Sequence, residues 1–133
     1  MPLTPTRLRR SFLADPDAAA AARRELAAFV AAHGGSAALR SVVELAVGEA
    51  LNNVVMHAYR DREAPGPARL EAVVQDEELV VTIRDEGMGI VPREDSPGCG
   101  FGLGLMARLA EQVCLGDLEP GAEVRLHFAW ATA

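Results

Sequence analysis

The sequence predicts an α+β domain in which helices are layered on a sheet, and three observations carry that expectation. One long stretch, 17–32, is alanine-rich, and a second, 36–58, repeats apolar residues at helical spacing. Four runs near 68–75, 78–84, 113–117 and 122–130 are β-prone and separated by turn residues. Helices and strands follow one another without regular alternation, which disfavours a doubly wound sheet.

The elements follow in chain order. Residues 6–13 (TRLRRSFL) read as a first strand. The alanine-rich stretch from Asp17 to Ala32 reads as a helix, because alanine loses no side-chain entropy there. Asp15 or Asp17 can cap it, and His33-Gly34-Gly35 ends it. Ser36 can cap a second helix to about Ala58, with Leu39, Val42, Val43, Ala46, Val47, Leu51, Val54 and Val55 as its apolar stripe. Residues 61–67 (DREAPGP) form a loop by composition. Asp76-Glu77 joins the next two strands, of which Val80-Val81-Thr82-Ile83 is the most β-prone segment. Residues 86–100 are rich in Gly and Pro and read as a loop. A third helix is expected over about 102–112, and Glu119-Pro120-Gly121 turns between the last two strands.

Bulk properties narrow the function. At 133 residues the chain is expected to be one domain, 1–133, and its 50% apolar content supplies a core. A net charge of −6 argues against general nucleic-acid binding, which needs a basic surface. Cys99 and Cys114 have no metal-ligand spacing and suggest no disulfide framework, so a reducing, cytoplasmic setting is the default. No run of 18 apolar residues exists to span a membrane, and no apolar segment follows the arginines of residues 1–10 as a secretory signal would require.

Three motifs carry the chemistry. On the second helix Glu49, Asn53 and His57 stand at i, i+4 and i+8, one polar face on a largely apolar helix. Asn supplies a neutral oxygen that suits Mg²⁺, and a Glu one turn away can take a proton from a hydroxyl. The plainer alternative is a solvated helix face. Asp85-Glu86-Gly87-Met88-Gly89 follows a strand. A carboxylate there can accept a hydrogen bond from an exocyclic amine such as adenine's; the alternative is a turn using Asp and Gly for its geometry. Gly100-Phe101-Gly102-Leu103-Gly104-Leu105 leads into a helix, where backbone N–H groups can face an anion. The alternative there is a flexible loop. No Lys-Ser/Thr follows, and no βαβ unit surrounds it, so it is neither a Walker A loop nor a dinucleotide fingerprint.

Together these segments resemble the asparagine box and the two glycine boxes of GHKL-type ATPases, the HATPase superfamily that includes histidine-kinase catalytic domains, DNA gyrase B and MutL. Within it the phrases Gly48–Tyr59 (GEALNNVVMHAY) and Thr82–Ile90 (TIRDEGMGI) are most similar to the bacterial partner-switching anti-sigma-factor serine/threonine kinases. The resemblance implies a Bergerat-type two-layer sandwich: a mixed, mostly antiparallel sheet with helices on one face. It implies ATP and Mg²⁺ as cofactors, Asn53 as the Mg²⁺ ligand, Glu49 as catalytic base and Asp85 as the adenine contact. Gly87 and Gly89 would shape the pocket, and Gly100, Gly102, Leu103 and Gly104 would border the phosphates. Arg23 occupies the place of a partner-binding arginine, although a solvated helix charge beside Arg24 fits equally. The implied partners are a sigma factor and an anti-anti-sigma antagonist, with the chain as a homodimer.

Two features depart from the family pattern. The lid between Gly89 and Gly100 (IVPREDSPGC) is short, and Ala122 follows Gly121 where many members carry Thr. A module acting by sequestration alone is therefore the main alternative. A histidine-kinase catalytic domain is a further one, disfavoured by the Glu49–Tyr59 phrase.

Overall fold

The computed structural model describes residues 6–88, 104–118 and 120–133. Its strands are β1 (Arg7–Leu13), β2 (Pro67–Gln75), β3 (Glu78–Asp85), β4 (Gln112–Asp117) and β5 (Ala122–Ala129), and its helices α1 (Pro16–Ala32), α2 (Ala37–Asn53) and α3 (Leu105–Leu109). The five strands form one sheet in the order β1-β2-β3-β5-β4, and every described pairing is antiparallel. The two-layer α+β expectation is met.

Local chemistry explains the element boundaries. Asp15 caps α1, its carboxylate accepting from the Ala18 N–H at 2.8 Å, with Pro16 in the first turn where its missing N–H costs nothing. The Ser36 hydroxyl accepts from the Leu39 N–H at 3.0 Å and starts α2. The tight turn Asp76-Glu77 lets Gln75 pair with Glu78. Both turn residues have positive φ, 52° and 61°. That is the backbone twist a two-residue hairpin needs, here adopted without glycine.

Alternation along each strand splits the sheet into two faces. Leu70, Ala72, Leu79, Val81, Ile83, Val124, Leu126 and Phe128 point inward and are buried with Ala22, Leu26 and Val30 of α1 and Val43, Ala46, Val47, Ala50 and Leu51 of α2. The outward face is polar. It carries the ion pairs Arg9–Glu71 (3.5 Å), Arg84–Glu123 (3.4 Å) and His127–Glu78 (3.3 Å). Among the described residues no helix is long and apolar enough to cross a membrane.

Three expectations change. The second helix does not run as one α-helix to Ala58: α2 ends at Asn53 and a π-helical turn, Val54–Ala58, follows. A π turn closes its hydrogen bonds one residue further along, so the α-helical register of the stripe stops at Asn53. The third helix is five residues long within the described range. The Glu111 N–H already donates to the His127 carbonyl at 2.7 Å and Gln112 pairs with His127, so strand pairing takes the end of the segment expected to be helical. Cys114, buried in β4, is disulfide-bonded and not a free thiol. Cys99 lies outside the described residues.

Candidate nucleotide site

Asp85 is the one buried charged side chain among the described residues, 3% exposed. It ends the central strand β3, flanked by Ala68 of β2 and Ala122 of β5. Burying a carboxylate is costly unless its hydrogen bonds are met, which makes such a group a candidate functional position. The small neighbours leave room beside it. One carboxylate oxygen accepts from the Gly87 N–H at 3.0 Å, which orients the group.

The turn after Asp85 is held by the end of the second helical segment. The Met88 N–H donates to the Ala58 carbonyl at 2.6 Å, and the Glu86 N–H to the Tyr59 hydroxyl at 2.8 Å. That hydroxyl in turn donates to the Pro67 carbonyl. Gly87 has no room for a side chain: a β-carbon would lie 2.1 Å from the Ala58 carbonyl oxygen. Glycine is therefore required there by close backbone approach.

The helix that reaches this turn carries the other two polar candidates. Glu49 and Asn53 are half-buried and one turn apart near the end of α2. Neither side chain has a hydrogen-bond partner among the described residues, which fits a neutral oxygen and a carboxylate reserved for a ligand. Mg²⁺ suits such a site, since it keeps several waters and takes few protein ligands. Among the described residues no cluster of three or more His, Cys, Asp or Glu is placed to hold a metal ion.

Gly104 precedes α3 with φ 57° and open space around it. Gly89, Gly100, Gly102 and Leu103 lie outside the described residues. Arg23 is exposed on α1 and lies across α2, where Gly48 has no side chain to obstruct it; a β-carbon on Gly48 would be 3.1 Å from the guanidinium. Together with Pro16, Ala20, Asn52 and Met56 they line a groove between the two helices. Met56 is 64% exposed, a large apolar side chain that the sequence reading passed over. Tyr59 was noted only as the end of a motif. Its being the sole tyrosine of the chain, directly after the polar helix face, was the available signal.

Among the described residues, the arrangement is a buried acid at the end of the central antiparallel strand, tied by hydrogen bonds to the end of the helical segment that carries Glu49 and Asn53. The chain belongs to the histidine kinase-like ATPase domain family, which it matches over residues 12–128. It is 35% identical over 79 residues to an anti-sigma F factor of Clostridium beijerinckii, covering 59% of this chain and 54% of that protein. It is 27% identical over 118 residues to an anti-sigma F factor of Pasteuria penetrans, covering 80% and 79%. The first of these matches spans about half the relative's length. The fold matches the crystal structure of the RsbU and RsbW domains of Rv1364c from Mycobacterium tuberculosis, with a TM-score of 0.77 at 20% identity over 98% of this chain and 34% of that one.

Proposed function

We propose that the chain is an ATP-dependent protein serine/threonine kinase that sequesters a sigma factor and phosphorylates an anti-anti-sigma antagonist. The observation that carries this reading is the direct tie between the Asp85 turn and the helix bearing Glu49 and Asn53. Asp85 accepts from the adenine amino group. Gly87 and Gly89 shape the base pocket, and Gly100, Gly102, Leu103 and Gly104 border the phosphates. Asn53 holds Mg²⁺, which neutralises phosphate charge. Glu49 accepts the proton of the acceptor hydroxyl as the new O–P bond forms and the bond to the departing ADP breaks.

Arg23, Gly48 and Met56 suit a partner surface: an exposed cation beside an exposed apolar side chain in a groove. The names of the relatives, anti-sigma F factors, support a sigma factor as the occupant. A phosphorylated antagonist adds nearly two negative charges, and a chain of net charge −6 repels them, which releases the product. The chain acts as a homodimer through α1 and the strand before it. Light scattering over a concentration series tests this, and a mass staying near 14.1 kDa rejects it.

The deciding experiment incubates the full chain with Mg-ATP and a candidate antagonist and follows phosphate on serine or threonine. Transfer supports the kinase. Nucleotide binding without transfer favours a module that acts by sequestration alone, a reading to which Ala122 lends weight because it offers Asp85 no hydroxyl.

A further inference from the structure

We propose that Tyr59 is a positioning residue for adenine recognition: its hydroxyl sets the Glu86–Met88 backbone and, through it, the Asp85 carboxylate. The inference rests on Asp85 being the adenine contact.

Three successive backbone N–H groups define this turn, and each has a fixed acceptor. Glu86 donates to the Tyr59 hydroxyl, Gly87 to the Asp85 carboxylate, and Met88 to the Ala58 carbonyl. Two of the three acceptors are consecutive residues, 58 and 59, at the end of the π turn that follows α2. The turn that reads the base and the helix that carries Glu49 and Asn53 therefore share one anchor.

The Tyr59 ring is clamped as firmly as its hydroxyl. It is 5% exposed. A β-carbon on Gly66 would lie 2.3 Å from the ring and one on Gly87 2.8 Å, so the backbone closes on it from two sides. The Arg62 guanidinium lies 5.1 Å from its centroid and covers it further. A ring so confined cannot follow a displaced turn, so the hydroxyl acts as a fixed point. Phenylalanine would fill the same space but leave the Glu86 N–H and the Pro67 carbonyl without this partner. The turn would then relax, and the Gly87 N–H that orients Asp85 would move with it.

The consequence is selective. Adenine offers an amino donor where guanine offers a carbonyl acceptor, and a correctly aimed carboxylate accepts the first and repels the second. Loss of aim should therefore weaken ADP more than GDP.

The test measures ADP and GDP binding by calorimetry for the wild-type full chain and Tyr59→Phe. The expected result is a loss of ADP affinity on the order of tenfold. GDP affinity should hold nearly constant, KM for ATP should rise, and turnover at saturating ATP should be kept. Because Tyr59 is the sole tyrosine, 3-fluorotyrosine incorporation labels this position alone. Its fluorine resonance should shift with ADP and not with GDP, a readout that holds even if Tyr59→Phe fails to fold. Unchanged ADP affinity in Tyr59→Phe, equal losses for ADP and GDP, or a fluorine signal blind to ADP would each overturn the inference. A wild type that binds no ADP overturns the nucleotide reading itself, and this inference with it; wild-type binding with an unaffected variant overturns this inference alone.

Discussion

Gly121 approaches Asp85 so closely that a β-carbon on it would lie 1.8 Å from the Asp85 carbonyl oxygen. Its φ of 106° is one that side-chain-bearing residues rarely adopt. The last turn of the sheet thus closes directly over the strand end that carries the buried acid. Gly121→Ala is expected to cost about 3 kcal/mol from overpacking and backbone strain together. Urea unfolding should show a lower midpoint with an unchanged slope; an unchanged midpoint would show that the turn relaxes freely.

Asp85 and Glu49 should separate binding from chemistry. Asp85→Asn keeps the size but replaces an acceptor oxygen and its charge, so ADP binding should fall sharply. Glu49→Ala should leave binding largely intact and lower phosphoryl transfer by roughly 10²–10⁴-fold. Equal loss of binding in both folded variants would reject this division of roles.

Asn53→Ala should remove most of the Mg²⁺ dependence of ATP affinity. The side chain has no protein partner among the described residues, so its loss should barely alter the unfolding temperature. ATP titrations with and without Mg²⁺ decide the point, and identical Mg²⁺ dependence in the two proteins would exclude Asn53 as the ligand.

The hairpin turn offers a stability test away from the site. Asp76 and Glu77 hold positive φ without glycine, and such a conformation costs a non-glycine residue about 1 kcal/mol or more. The pair Asp76→Asn and Glu77→Gly should therefore stabilise the protein by about 1 kcal/mol and leave ADP binding unchanged. Thermal unfolding would reveal it; a lower Tm would mean that the acidic side chains contribute something the backbone argument omits.

Tyr59 should titrate late. Burial raises its phenol above the ordinary value, the nearby Asp85 and Glu86 carboxylates add to the rise, and the Glu86 N–H and Arg62 oppose it. An acid group whose folded pKa is raised stabilises the fold fully below the unfolded pKa, about 10 for tyrosine. That contribution is lost as pH rises from there through the folded value. Absorbance at the phenolate band, which this single tyrosine makes unambiguous, should show ionisation at a pH above that of free tyrosine. Ionisation at the free-tyrosine pH in folded protein would contradict the buried hydroxyl.

Much of this protein was legible from local chemistry. Asp15 and Ser36 announce their helices because a side-chain oxygen before a helical run satisfies an orphan N–H. The strands announce themselves by β-prone runs bounded by turn residues, and Asp85 by following the most β-prone run. These signals act over a few residues, so the sequence alone determined the elements, the α+β layering and the identity of the polar candidates. Strand order, the burial of Asp85 and the closeness of Gly121 and Gly87 to their neighbours depend on contacts between segments far apart in the chain. Tertiary structure also decided against sequence where the two competed: β4 claimed Gln112 from the third helix, and a π turn replaced the last turn of the second α-helix. The use of Tyr59 belongs to the same class, because its hydroxyl meets residues 67 and 86 only once the sheet and α2 have packed together. A periodic pattern records which face is apolar, but not which distant backbone that face will meet.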